Sequence, residues 1–455
     1  MRNLTSGGRG DRVSGRRLLR TPALPAAVAA IAVVAAGLPA APAGAQTVAA
    51  TGAVRSGAAA YARPWLNPQQ TPGQRADELL AAMTMAQKLQ MVDGTGFGGG
   101  DYAGHIAGIP SLGVPDLYLA DGAVGVGNGS TGVTWFPSGT SDAATWDPAL
   151  VRAVGAADGT EQAAKGHNVS LAPNLNVLRT PYGGRAFEGY GEDPYLGSQI
   201  AAADVRGVQS AGVIATSKHY IGNDQETLRG AINAVVSQRA LAEIYDPAFQ
   251  ATVDAGAGAV MCAYNKINGP YACENPQTLR GTLDHGLGFR GFVMSDWGAQ
   301  HSTVPSAEAG LDMSMPGAGA IVPDYYGAPL AAAVAGGSVP VATVNGMVRR
   351  ILWAMFSVGL FDRSYPNPAA VAGLDVSTPA DNRVALNASE QGTVLLKNDH
   401  GVLPLSQQTT SIAVIGDAAG ADAMYGAGDR PRSTPPTRSP RWPGSPAGPR
   451  PAAPG

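Results

Sequence analysis

Residues 291–297 read GFVMSDW, a short apolar run that stops on an acid with an aromatic beside it. This pattern constrains the fold more than any other in the chain, because a (β/α)8 barrel fills its interior with branched side chains and carries chemistry at the C-terminal tips of its strands. Four more apolar segments end on polar groups: 116–122 (DLYLADG), 168–179 (NVSLAPNLNVLR), 212–220 (GVIATSKHY) and 258–265 (GAVMCAYN). Together the tips carry Asp121, Arg179, the pair Lys218 and His219, Tyr264, and Asp296. Their spacing fits one or two βα units each, since a unit takes roughly 30 residues. One open pocket is implied.

Apolar periodicity predicts helices over 148–164, 195–211, 238–255 and 341–356, and one long amphipathic helix over 74–92 with Leu79, Leu80, Met83, Leu89 and Val92 as its stripe. Short Val/Ile/Ala-rich runs alternating with helices predict a parallel sheet with helices outside. Long Gly-rich loops at 94–108 and 181–194 lie where barrels keep ligand contacts. The expected organisation is a signal peptide (1–45), a lead segment (46–73), the (β/α)8 barrel (74–361), a linker (362–381), the start of an α/β sandwich domain (382–428) and a tail (429–455).

The ends carry their own signals. Arg12, Arg16, Arg17 and Arg20 precede an apolar run and the small-residue site Ala43-Gly44-Ala45, so an exported protein cut near Gln46 is expected. A membrane anchor is the alternative, and Arg16-Arg17 leaves general and twin-arginine export both open. Near the other end, 382–398 reads as a helix and 411–416 (SIAVIG) as a buried strand. From Asp429 onward, nine prolines and five arginines in 27 residues leave too little apolar surface to offset chain entropy, and disorder is expected.

Export bears on the two cysteines, Cys262 and Cys273, which flank a turn-rich segment containing Asn268-Gly269-Pro270. They would form either a loop-stapling disulfide or two buried thiols. With 45% apolar residues and a net charge of −3, the composition gives no reason to expect a nucleic-acid or membrane-surface partner. No metal-ligand spacing stands out, and Gly98-Gly99-Gly100 and Gly125-Val126-Gly127 lack the Lys-Ser/Thr of a phosphate loop.

Six motifs then occur in a recognisable order: DGAVGVG from Asp121, NVLRTPYGGRAFEGYGEDPYL from Asn176, SKHYIGNDQE from Ser217, VMCAYNKING from Val260, GFVMSDWG from Gly291 and SEQGTVLLKNDHGVLPL from Ser389. Together they resemble glycoside hydrolase family 3 of the β-glucosidase type. The resemblance implies an exo-acting, retaining β-glycosidase in which Asp296 is the nucleophile of a double displacement. It further implies sugar contacts from Asp121, Arg179, Lys218, His219, Met261, Tyr264 and Trp297, with Lys218 and Arg179 keeping Asp296 and Asp121 ionised. His219, Tyr264 and Met261 could instead be core residues, and Arg185 with Glu188 could either contact the sugar or form a structural ion pair beneath the pocket. β-Glucosides or short β-linked oligosaccharides are the expected substrates, and the mechanism needs no cofactor.

Retention also needs a general acid/base about 5 to 5.5 Å from the nucleophile. The resemblance fades after residue 428, before the Glu that serves relatives in their second domain, so a truncated chain without its acid/base is expected. Glu188, Glu192, Asp224, Glu226 and Asp312 are present in the barrel, but sequence assigns none of them that role. A β-xylosidase of the same family, or a catalytically silent sugar-binding barrel, are the alternatives.

Overall fold

The computed structural model of the chain describes residues 62–97, 101–317 and 323–415. The signal-peptide reading, the lead segment up to residue 61 and everything from residue 416 on lie outside the described residues. The strands are β1 (Gly104–Ile106), β2 (Leu117–Asp121), β3 (Val169–Leu171), β4 (Ile214–Tyr220), β5 (Asn233–Ala234), β6 (Ala259–Cys262), β7 (Lys266–Ile267) and β8 (Phe292–Ser295). Six form one sheet in the order β1-β2-β3-β4-β6-β8.

That sheet curls shut. Met294 bridges Met313 and Asp93 bridges Ser314, both in parallel, while Phe97 bridges Gly104 of β1 in the antiparallel sense. Six strands and these two short segments make eight staves of a (β/α)8-like barrel. At the closure Gly317, at φ +80°, passes so near the Gly94 carbonyl that a Cβ would collide with backbone, so only glycine fits. Asp312 ties the seam to the outer ring: its carboxylate accepts from Val293 N–H at 2.9 Å and from Arg350 Nε at 2.9 Å on the helix Val341–Ser357. Arg75, on the helix Pro72–Ala82, clamps Asp362 with two bonds of 2.8 and 2.7 Å just beyond that last helix.

The all-parallel expectation needs correction at β1, which runs antiparallel to β2. The link 107–116 between the two strands is too short for a crossover helix, so the chain can only turn back. The long helix expected over 74–92 is likewise two helices, Pro72–Ala82 and Met85–Met91. Thr84 breaks it: its hydroxyl accepts the Gln87 N–H while the Gln87 side chain accepts the Thr84 N–H, a capping box that satisfies two terminal donors. The other helices expected from periodicity are found as Pro148–Ala164, Pro194–Ser210 and Val341–Ser357, and the 238–255 stretch is helical with a wider π turn over Leu241–Tyr245.

Beyond the barrel the chain folds back along its wall. Buried Lys165 donates to the Val371, Ala372 and Leu374 carbonyls, pinning residues 366–375, and the helix Pro379–Gly392 buries Ala388 against Phe136, Val154 and Ala157. The strand expected at 411–416 is absent in its described part, 411–415, which pairs with nothing. A strand exists only by pairing, and Ile412, Val414 and Ile415 stand 67%, 73% and 91% exposed. Val394 and Leu395 are exposed too. No helix among the described residues is long and apolar enough to cross a membrane.

One flank of the barrel buries acids together. Asp204 on Pro194–Ser210 acts by its charge on both Asp142, on the helix Gly139–Ala144, and Asp158, on Pro148–Ala164, and the Tyr190 hydroxyl donates to Asp204 at 2.8 Å. Burial, reinforced by the Asp204 charge, pushes the Asp142 carboxyl up to about 8 and Asp158 well above the ordinary range. Folded-state values above unfolded ones mean that the fold holds these protons more tightly. Stability is therefore fullest below the ordinary carboxylate pKa and declines as pH rises toward the folded values. Asp142→Asn, which cannot ionise, is expected to leave Tm at pH 4 unchanged and to raise it by about 3 °C or more at pH 8. Equal shifts at both pH values in a thermal scan would refute ionisation as the cause.

Candidate active site

The C-terminal tips of the strands bring most of the expected polar groups to one end of the barrel. Asp121 is the last residue of β2, Lys218 and His219 sit near the end of β4, and Asp296 directly follows β8. Tyr264 lies two residues past β6, in a loop that the Cys262–Cys273 disulfide closes. The open choice between disulfide and free thiols is thereby resolved in favour of the disulfide.

Asp296 is 7% exposed, and its two oxygens differ. Oδ1 accepts the Trp297 N–H at 2.8 Å, whereas Oδ2 accepts no hydrogen bond from the protein and faces His219 Nε2 at 3.6 Å. Burial raises the carboxyl above the ordinary range. The Arg185 charge, the Trp297 N–H, the Lys218 charge and the Tyr264 hydroxyl oppose that rise, in that order. An anion held in this way has one bare, directed oxygen.

The approach to His219 is not an ion pair. Nε2 also lies 2.9 Å from Arg185 Nη1, and a guanidinium can only donate, so Nε2 must be the accepting nitrogen. Nδ1 then carries the proton and donates to Asn176 Oδ1 at 2.8 Å. Burial first, then the charges of Arg185, Lys218 and Arg229, hold His219 well below its ordinary 6.5 and keep the ring neutral. Asn176 grips the same residue's backbone from both sides, at 3.2 Å to its N–H and 3.0 Å to its carbonyl.

Arg185 is itself fixed by Glu188 through bonds of 3.0 and 2.8 Å, and Asn174 donates to Glu188 at 3.3 Å. The structural ion pair foreseen for Arg185 and Glu188 therefore exists, but its cation also reaches the site. A small cleft borders it, lined in part by Asn174, Asn176, Asn223, Asp224 and Glu226. On the opposite side Asp121 Oδ2 accepts from Asn128 Nδ2 at 2.7 Å, and Lys218 Nζ stands 3.9 Å from Oδ1.

Trp297 is half-buried, its indole N–H bound to the Ala103 carbonyl at 3.0 Å and its ring so close to Gly104 that a Cβ there would meet it at 2.9 Å. The Tyr264 hydroxyl donates to the Trp297 carbonyl at 3.2 Å. Met261 is buried in the main core, on β6 in register with Met294.

Arg179 departs from expectation. It is exposed, donates to Tyr245 Oη at 2.9 Å, and Tyr245 in turn donates to Asp224 at 2.7 Å. The charges acting on it come from Tyr245 and Asp224, and the cation the sequence assigned to it is Arg185. The strand-tip pattern missed Arg185 because it lies in a loop, after Gly183-Gly184. The other barrel acids are engaged: Asp312 in the barrel seam, Glu188 on Arg185, Glu226 on Arg229 and Asp224 under Tyr245, while Glu192 is exposed.

Comparison with known proteins accords with this geometry. The profile of the glycosyl hydrolase family 3 N terminal domain matches residues 108–354. "Probable beta-glucosidase L" of Aspergillus terreus is 44% identical over 351 residues, 75% of this chain and 47% of the relative. Among solved structures, beta-D-glucoside glucohydrolase from Trichoderma reesei superposes with a TM-score of 0.70 at 40% identity, covering 74% of this chain and 47% of that one. Beta-glucosidase 3B from Thermotoga neapolitana, solved in complex with alpha-D-glucose, gives 0.67 at 35% identity over 73% and 48%. The chain belongs to glycosyl hydrolase family 3. It spans about half the length of the curated relatives it matches.

The neutral His219 is directly checkable by ring ¹⁵N NMR. The wild-type ring is expected to remain Nδ1-protonated and uncharged as pH falls through the ordinary 6.5, and Arg185→Met to move its midpoint upward by removing both donor and charge. A wild-type midpoint at the ordinary 6.5 would contradict the assignment.

Proposed function

We propose that this chain carries the glycone-binding and nucleophilic half of an exo-acting, retaining β-glucosidase that removes terminal β-D-glucosyl units from β-glucosides or short β-linked oligosaccharides. The single observation behind this reading is the Asp296 carboxylate: buried, aimed with one bare oxygen, and surrounded by Arg185, Lys218 and the Tyr264 hydroxyl. Attack by Oδ2 on the anomeric carbon would expel the aglycone and leave a glycosyl ester, which water then hydrolyses to return the carboxylate.

The neighbours have matching roles. Asp121 would accept from sugar hydroxyls while Lys218 and Arg185 donate to others, and Trp297 would offer the ring an apolar face. His219, neutral and proton-bearing only at Nδ1, would act through its accepting Nε2 and through the backbone that Asn176 holds. The β-glucosidase names of the relatives support glucose as the sugar. The basic N-terminal stretch and its small-residue site support export of the protein, and the stapled loop fits an oxidising compartment.

Leaving-group chemistry tests the proton donor separately. Without general acid assistance, departure of an alkoxide slows by about 10²- to 10⁴-fold, whereas an acidic phenol needs little protonation. Much slower turnover of alkyl than of activated aryl glucosides would show that no acid assists departure, and equal relative rates would show that one does.

The nucleophile is tested by intact mass and peptide mapping after exposure to a 2-deoxy-2-fluoro-β-glucoside bearing a good leaving group. One adduct, on Asp296, is expected, and none on Asp296→Asn. An adduct elsewhere, or none on the folded wild type, would sink the reading.

A further inference from the structure

Arg229, on the loop after β4, has a position that the proposed chemistry leaves unexplained. Glu226 Oε2 accepts from its Nη1, and Asn223 Nδ2 holds the other Glu226 oxygen at 3.1 Å. Anchored so, the guanidinium carbon stands 4.4 Å from the centre of the Tyr264 ring. The loop is not free to drift: β5 pairs with β7, Asn233 accepts from Gly269 N–H at 2.9 Å, and Asn268 accepts from Val236 N–H at 2.8 Å. β7 and Tyr264 both belong to the segment that the Cys262–Cys273 disulfide closes, so cation and ring share one scaffold.

We propose that Arg229 is a positioning residue for Asp296, acting through Tyr264: standing over the phenol ring, it holds the hydroxyl, which donates to the Trp297 carbonyl at 3.2 Å, beside the nucleophile and strengthens it as a donor when its one proton turns to the carboxylate. A cation on an aromatic face draws on the ring's π electrons, and a phenol depleted in this way gives up its proton more readily. Burial and the Asp296 charge both raise the Tyr264 hydroxyl, and Arg229 is the first of the charges that oppose them.

The other groups around the pair are accounted for. Asp296 is also faced by Arg185, by Lys218 and by neutral His219, and Tyr264 by Asp296, Arg229 and Arg185. Arg185 in turn faces Glu188 and Glu226. Removing Arg229 leaves Arg185 and Lys218 in place, so the effect on Asp296 is partial, and it must vanish when the Tyr264 hydroxyl is gone.

The inference rests on the nucleophile reading for its catalytic consequence, and the test separates the two. In the full chain labelled with ¹³C-aspartate, the Asp296 carboxyl is assigned by its loss in Asp296→Asn and titrated in wild type, Arg229→Gln and Arg229→Lys. The Asp296 midpoint is expected to rise by roughly half to one pH unit in Arg229→Gln. Arg229→Lys, which keeps the cation, is expected to give a smaller rise, and carries the test should the glutamine variant fail to fold. In a Tyr264→Phe background the Arg229 substitution is expected to add nothing.

An unmoved midpoint in the Arg229 variants, or an undiminished rise without the Tyr264 hydroxyl, would overturn the proposal. Fluoroglucoside labelling of the wild type, run alongside, reports on the nucleophile alone. A shifted titration with no adduct would discard the nucleophile reading and keep the positioning role.

Discussion

The Arg185 guanidinium is the interaction on which the rest of the site depends. Glu188 fixes its plane with two bonds, and a third donor, on Nη1, goes to His219 Nε2. Because a guanidinium cannot accept, that one contact sets the histidine tautomer and turns its proton to Asn176, while burial first and then the Arg185 charge keep the ring neutral. The same charge is the largest influence opposing the rise that burial imposes on Asp296. With Arg185 removed, three things would change together: the ring's proton, its charge and the ionisation of the carboxylate.

Such a site needs a rigid floor, which the barrel supplies with little regular sheet. Two of its eight staves are short bridged segments, held by the Gly94–Gly317 approach and by Asp312, which serves a strand N–H and an outer helix at once. Short staves place chain reversals close to the polar tips, and Trp297 depends on one of them through its bond to Ala103. The loops over the other side are held by the β5–β7 pair and the disulfide, so Tyr264 is fixed by covalent and hydrogen-bonded means together. Residues 394–395 and 411–415 carry apolar side chains that nothing among the described residues covers. The relatives are about twice as long as the stretch matched here.

Much of the site was legible because strand tips leave a strong trace: a run of buried, branched side chains broken by one polar residue. Asp121, Lys218, His219, Tyr264 and Asp296 were all found in that way. Arg185 and Asn176 were not, because they come from irregular loop backbone, where no periodicity marks which side chain turns inward. Arg179 drew attention for the opposite reason, ending an apolar run while its own loop carried it outward to Tyr245. The helix break at Thr84 did have a local sign, the Thr-x-x-Gln capping pattern, which the apolar stripe outweighed.

The sequence by itself determined the barrel class, the carboxylate at the end of β8, the positions of the main outer helices and the family, since each rests on local pattern or on ordered motifs. The tertiary structure alone decided how the barrel closes, that β1 runs antiparallel, that residues 411–415 form no strand, and which arginine faces the nucleophile. The reason is that closure, strand pairing and the direction of a loop side chain are set by partners distant in sequence. Charges act through space on whatever the fold brings near, and for Asp296 those are groups on loops and strands some 30 to 110 residues away.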